Sequence, residues 1–277
     1  MKPTTLLPII AAALLAAGCT TVQTRYEQLT ADALQHQTNA PEHILTEHDL
    51  AGLPLPVQNY LRYTGAVGRP VPQNMSMTFD AQMVRKRGDE PMEATSQQVN
   101  ILTDRTRIFT MKAGMFLVPF QALHVYRDTQ ATFIVRVANM FNVVDIAGDT
   151  LTTAETVTML NDICVFAPAY LTAPCFAWKE IDARSAGVTF TNGPYRVRAT
   201  LLFNEEGALV DFISDDRYAL EGDGTMRNVR WTTPLSDYRE FDGRKIATYG
   251  EAVYHYPDGP FVYGTFRLTG IRYNVRQ

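Results

Sequence analysis

From Asn74 to the C-terminus, apolar and polar residues alternate in short runs separated by turn sequences, which restricts this chain to a sheet built of hairpins. Met75, Met77, Phe79, Ala81 and Met83 alternate with Ser76, Thr78, Asp80 and Gln82, the period of a strand with one buried face. Strand-like runs follow at Thr95–Thr103, Thr106–Lys112, Phe120–Arg127 and Ala131–Ile146, with Asp128-Thr129 as a turn. Val135 to Ile146 is apolar on both faces in places, so a strand covered on both sides is expected there. Tyr195, Val197, Ala199, Leu201 and Phe203 share one face, Asn204-Glu205-Glu206-Gly207 turns, and Ala208–Ser214 returns. Trp231–Phe241 leads to Asp242-Gly243, the strongest short-range hairpin signal in the chain. Arg244–Tyr256 returns, Pro257-Asp258-Gly259-Pro260 turns, and Phe261–Val275 closes. Strands joined mainly by tight turns predict a mainly β fold: a curved antiparallel meander, open or curled into an incomplete barrel.

Helices are few. Thr152-Thr153-Ala154-Glu155 matches a capping box, and Val157, Leu160 and Cys164 follow at helical spacing until Pro168. A helix over about 152–166 with one apolar stripe is expected to lie on the sheet, with Glu155 explained as its cap. Val57, Tyr60 and Leu61, after Pro56 and before Gly65, predict a short helix. Tyr26–Leu34 has room for a helical turn or two, but nothing in its sequence demands one.

The N-terminus reads as an export signal. Lys2 supplies the positive charge, Leu6–Ala17 is apolar apart from Pro8, and Leu14-Leu15-Ala16-Ala17-Gly18 precedes Cys19. The apolar stretch is shorter than the ~20 residues of a membrane-spanning helix. A cysteine directly after Ala-Gly resembles the acceptor of a bacterial lipoprotein, which implies cleavage after residue 18 and lipidation of Cys19. Residues 1–18 are then a signal peptide, 19–45 the lipidated cysteine and a flexible tether, and 46–277 one β-rich domain. Thr20, rather than Asp, after the cysteine suggests sorting to an outer membrane, facing the periplasm. In an oxidising compartment Cys164 and Cys175, ten residues apart in the loop they would close, are expected to form a disulfide, though two separately buried thiols remain the alternative.

Several phrases resemble, in this order, an uncharacterised bacterial family known as a domain of unknown function. They are Leu53-Pro54-x-Pro56-Val57-Gln58-x-Tyr60-Leu61-Arg62, Gly68-Arg69-Pro70, Glu155-Thr156-Val157, Asp237-Tyr238-Arg239-Glu240, Gly250-Glu251-Ala252-Val253 and Pro257-Asp258-Gly259-Pro260-Phe261-Val262-Tyr263. The resemblance covers Leu53 to Asn274 and brings no active site. More loosely, an exported chain of hairpins with a packed helix resembles the LolA/LolB lipoprotein-carrier fold. That resemblance implies an incomplete barrel whose concave face holds acyl chains under a helical lid.

Motifs for chemistry are scarce. Net charge is −4 and the basic cluster Arg85-Lys86-Arg87 is followed by Gly88-Asp89-Glu90, which excludes a nucleic-acid partner. No histidine, cysteine or carboxylate set has metal-ligand spacing, no nucleotide or cofactor fingerprint occurs, and no catalytic residue is assigned. The carboxylates Asp211, Asp215, Asp216, Glu221 and Asp223 offer a hydrolase reading only if two of them converge with separated pKa values. Asp237 and Glu251 either face a cavity or pair with Arg239, Arg244 or Lys245. Against this, the chain is 46% hydrophobic, Met115–Phe120 is too apolar for a free loop, and four methionines lie between Met75 and Met92. The expected ligand is an acyl chain or other apolar molecule in the concavity of the sheet, lined by Phe79, Met83, Phe116, Phe120, Trp178, Phe212 and Trp231. The alternatives are an assembly lipoprotein that binds another envelope protein through a sheet edge, or the carboxylate hydrolase.

Overall fold

The computed structural model describes residues 21–115 and 118–276. The signal segment, Cys19 and Phe116 lie outside the described residues. Two helices, α1 (Val22–Gln35) and α2 (Leu55–Tyr63), precede a six-stranded meander: β1 (Asn74–Met83), β2 (Met92–Ile101), β3 (Thr106–Met115), β4 (Val118–Arg127), β5 (Gln130–Val137) and β6 (Phe141–Ala147). Helix α3 (Asp149–Phe166) leads to β7 (Phe176–Asp182), β8 (Ser185–Asn192), β9 (Tyr195–Phe203) and β10 (Leu209–Ser214). A two-stranded ribbon of β11 (Tyr218–Leu220) and β12 (Met226–Asn228) follows, then β13 (Arg230–Thr232), β14 (Leu235–Phe241), β15 (Arg244–Tyr256) and β16 (Gly259–Tyr273).

All other strands form one antiparallel sheet in the order β6-β5-β4-β3-β2-β1-β16-β15-β13-β10-β9-β8-β7, with β14 paired to β15. The first strand therefore pairs with the last, and the two halves of the chain meet at mid-sheet. Strands β6 and β7 are the two free ends, so the sheet curves without closing. Helix α3 connects those ends. It is about 27 Å long at 1.5 Å per residue and packs against β4, β5 and β6 on one side and β9, β10, β11 and β15 on the other.

The β1 alternation holds as expected: Met75, Met77, Phe79 and Ala81 are buried while Thr78, Asp80 and Gln82 are exposed. Arg127 pairs with Gln130 around Asp128-Thr129, both at positive φ, and Phe241 pairs with Arg244 around Asp242-Gly243, also both positive. Those are the primed turns that match strand twist. Capping of α3 comes from elsewhere in the chain. Tyr60 donates to the Cys164 carbonyl at 2.9 Å and Tyr273 to the Phe166 carbonyl at 2.6 Å, satisfying acceptors that a helix end leaves open.

Four expectations change. The 131–146 run is a hairpin, not one strand covered on both sides: the chain turns at Ala138 and Asn139, and Met140, Phe141 and Val143 are exposed at the free edge. The stretch read as a flexible tether folds, because Val22, Tyr26 and Ala33 of α1 pack onto Val99, Ile101, Ile108, Leu123 and Ile134 on the convex face. The Asp32 carboxylate pairs with Arg127 there. Helix α3 starts one turn early, after Gly148, so Thr152 and Glu155 lie inside it and form no capping box. Thr152 Oγ1 instead accepts from the Ala131 amide at 3.1 Å. Finally, Cys164 and Cys175 are free thiols. Cys164 is fully buried in the last turn of α3, beside Tyr60, whereas Cys175 lies next to Tyr170 and Arg105 beyond an intervening 3-10 turn, Pro168–Thr172.

Candidate functional site

Thirteen of the eighteen α3 residues are buried, among them Glu155, Asn161 and Asp162. A helix buried all round is part of the interior and not a lid laid over it. Its polar residues are therefore under the sheet, where each needs a partner. Glu155 and Asp162 are seven positions apart, two turns on one helix face. The partner strand meets them with Arg107, whose alternation with Phe109 and Met111 turns it inward. Arg107 Nη1 reaches Glu155 Oε2 at 3.2 Å and its Nε reaches Asp162 Oδ2 at 2.8 Å. The same Asp162 oxygen accepts from Gln98 Nε2 at 2.6 Å and Asn100 Nδ2 at 3.1 Å, and Gln98 Oε1 accepts from Arg107 Nη2 at 3.1 Å. On the far side, Arg217 Nη2 lies 3.5 Å from Glu155 Oε1 and His124 Nδ1 lies 3.6 Å from the same oxygen.

The electrostatics follow from this packing. Burial opposes ionisation of Glu155, but His124, Arg217 and Arg107 more than offset it, and its pKa is lowered. Burial raises Asp162 against the pull of Arg107, Asn100 and Gln98. Burial is also the largest effect on His124, which is pushed down to about 4, with Arg107 and Arg217 adding and Glu155 opposing. The imidazole is thus neutral at pH 7, stacked 3.7 Å from the Phe133 ring.

Beside this network is a cavity of about 370 Å³ between α3 and the concave face, within the size range of small-molecule sites. Its walls are mainly apolar: Phe79, Met83, Phe109, Met111, Phe133 and Phe266 from the strands, and Leu151, Val165 and Phe166 from α3. Gln98, Arg107, His124, Glu155, Asp162 and Arg217 make a polar sector in the same lining. The lining offers an apolar ligand both hydrocarbon contacts and polar partners.

Of the residues expected to line a site, Phe79, Met83 and Trp231 do so. Phe212 is fully buried behind the wall, its ring edge-on to Trp231 at 6.0 Å. Trp178 sits on the edge strand β7, its indole donating to the Leu171 carbonyl at 3.3 Å. Phe120 shares the strand face of Ala122 and His124 but is not part of the lining. The carboxylates of 211–223 do not converge. Asp215 pairs with Arg230 at 2.7 Å, Asp216 with Arg198 at 3.6 Å, and Asp223 caps its own turn through Thr225. Asp211 alone rises, to about 6, through burial. Asp237 pairs with Arg267, whereas Glu251 does reach the cavity, where it accepts from Tyr249 at 2.9 Å. Sequence reasoning missed Arg107, Asp162 and Arg217. The seven-residue spacing of Glu155 and Asp162, and an arginine in phase with an apolar strand face, were the available signals.

Two outcomes follow for stability. Arg107→Met leaves Asp162 buried without its cation and removes one of the two guanidinia on Glu155, so denaturant titration should show a loss of about 3–5 kcal/mol. His124 binds its proton in the unfolded chain below pH ~6.5 but in the fold only near 4. Its contribution is fully present above 6.5 and is lost as pH falls toward 4. Asp211, raised in the fold, acts in the opposite direction, so the informative quantity is the difference between proteins. Between pH 6.5 and 4.5, His124→Gln should lose less stability than the wild type.

Comparison with known proteins came out as follows. Among solved structures, the fold is similar to a LolA superfamily protein from Nitrosomonas europaea, with 8% identity, TM-score 0.45, and 80% of this chain and 94% of that one covered. It is also similar to a DUF1329 family protein from Desulfovibrio piger, with 11% identity, TM-score 0.43 and the same coverage of 80% and 94%. A Vibrio parahaemolyticus domain described as an outer membrane lipoprotein-sorting protein aligns with 7% identity and TM-score 0.42, over 73% of this chain and 86% of that one. No curated protein matches the sequence. Residues 43–266 match DUF6544, a family of unknown function, and the chain belongs to that family.

Proposed function

We propose that this protein binds an acyl chain or similar apolar ligand between α3 and the concave face of its sheet. The observation that carries the reading is the 370 Å³ cavity with mainly apolar walls between α3 and the sheet. Hydrocarbon burial contributes ~0.8 kcal/mol per methylene without any specific polar group, so such a site needs no recognisable sequence motif. The Leu14–Cys19 segment supports a lipid anchor on Cys19 after removal of residues 1–18, attaching the protein to the cell envelope, with Thr20 favouring the outer membrane. Thr21 already caps α1, its hydroxyl accepting from the Thr24 amide at 3.0 Å. Anchoring at Cys19 would therefore hold the domain close against the bilayer, with no long tether.

A second reading, an assembly protein that pairs through a sheet edge, is favoured by the exposed Met140, Phe141 and Val143 on the free strand β6. One substitution separates the two. Ala122→Phe places a ring into the cavity from β4, and native mass spectrometry of the gently extracted protein should then show at least a tenfold lower fraction with lipid bound, while the melting temperature holds within a few degrees. Unchanged lipid occupancy, or a wild type that carries none even after incubation with envelope lipid extract, would move the assignment to the edge strand. For the anchor, Cys19→Ser should shift the protein from the membrane to the soluble envelope fraction; retention in the membrane would contradict lipidation.

A further inference from the structure

The cavity lining contains two buried side-chain N–H donors, on Arg217 and Trp231, that find no acceptor among the described residues. Arg217, which leads into β11, has a side chain only 10% exposed. Its Nη1 donates to the Tyr218 carbonyl at 3.3 Å and its Nη2 reaches Glu155 Oε1 at 3.5 Å, both long for bonds to a guanidinium. The Tyr263 hydroxyl is a further neighbour. Nε has no acceptor among the described residues. Trp231 on β13 is 4% exposed, and its indole Nε1 likewise has none. The guanidinium carbon lies 5.4 Å from the Trp231 ring centroid, and both residues line the cavity. Buried donors are almost always paired, and an indole or guanidinium N–H can only donate. Two of them in one neighbourhood therefore call for an oxygen acceptor.

The contrast with Arg107 is informative. Its Nε, Nη1 and Nη2 are committed to Asp162, Glu155 and Gln98, so it is structural. Glu251, the remaining carboxylate of the lining, has its own partner in the Tyr249 hydroxyl. Arg217 is the cation left with capacity to spare. The apolar walls, from Phe79 and Met83 to Phe266, adjoin it, and the volume is at the low end for small-molecule sites. That is the scale of one hydrocarbon chain and not of several.

The geometry points to a single-chain amphiphile with an oxyanion head, a carboxylate or a phosphate ester, as the ligand, its oxygens accepting from Arg217 Nε and Trp231 Nε1. This rests on the reading of the concavity as an apolar ligand site and names the ligand class that the site would select.

The test uses the folded domain in solution with diphenylhexatriene as a headless apolar probe, displaced by tetradecanoate, tetradecyl phosphate or tetradecylammonium. Wild type should prefer at least one of the two anions over the ammonium by tenfold or more, and the preferred one identifies the head. Trp231→Phe keeps an aromatic side chain and removes the donor. It should weaken the preferred anion by about tenfold more than it weakens the probe, the scale of a hydrogen bond to a charged group. Arg217→Gln should do the same more strongly, and the tryptophan variant remains decisive where the arginine variant fails to fold. Probe binding with equal affinity for the three chains, or an anion affinity that falls no further than the probe's in Trp231→Phe, overturns the inference and leaves the cavity reading intact. Absence of probe binding to the folded wild type overturns both.

Discussion

Everything in this structure depends on how a buried helix with two carboxylates is held beneath a sheet. Arg107 bridges Glu155 and Asp162 from the strand side, and Gln98 and Asn100 complete the acceptor oxygen of Asp162. Removing Arg107 leaves Asp162 without its cation in a low-dielectric interior, which is far costlier than the net worth of the pair. The network therefore fixes where α3 lies along the sheet more than it adds to stability. Because α3 also links the two free ends of the sheet, fixing its position sets how far the sheet curves around it.

The cavity is a consequence of that arrangement. An 18-residue helix fills most of the concavity, with Val157, Leu160 and Ile163 packed into the core. What remains is a space with aromatic and methionine walls and a charged flank. The helix reaches both halves of the sheet and its C-terminal carbonyls are tied down by Tyr60 and Tyr273, so a ligand of the proposed kind would have to enter around it.

The architecture was readable because period-two alternation and primed turns are local signals. Met75–Met83, Asp128-Thr129 and Asp242-Gly243 each specify their geometry without reference to the rest of the chain. Two errors arose where a local pattern had two physical meanings. An apolar run at residues 131–146 is written the same way for a covered strand and for a hairpin with an apolar free edge. Thr152 and Glu155 satisfy the capping-box spacing, yet Gly148 begins the helix a turn earlier and sends Glu155 into the interior. The polar α1 segment gave no strong amphipathic signal, although three well-placed residues, Val22, Tyr26 and Ala33, were enough to dock it. The site was only partly legible. Phe79, Met83 and Trp231 follow from strand phase, but the pairing of Arg107 and Arg217 with Glu155 joins residues 48 and 62 positions apart, and no local pattern encodes that.

The central claim is that a hydrocarbon chain resides in the cavity that Trp231 helps to line. The chain has two tryptophans, Trp231 in the cavity wall and Trp178 outside it. In a Trp178→Phe protein all indole emission comes from Trp231, so titration with a fatty acid brominated along its chain reports contact directly. The account predicts saturable quenching of that emission, with no quenching by the same acid when an unbrominated chain occupies the site first. Saturable binding of the brominated acid with Trp231 emission unchanged would place the ligand elsewhere on the molecule and contradict the account.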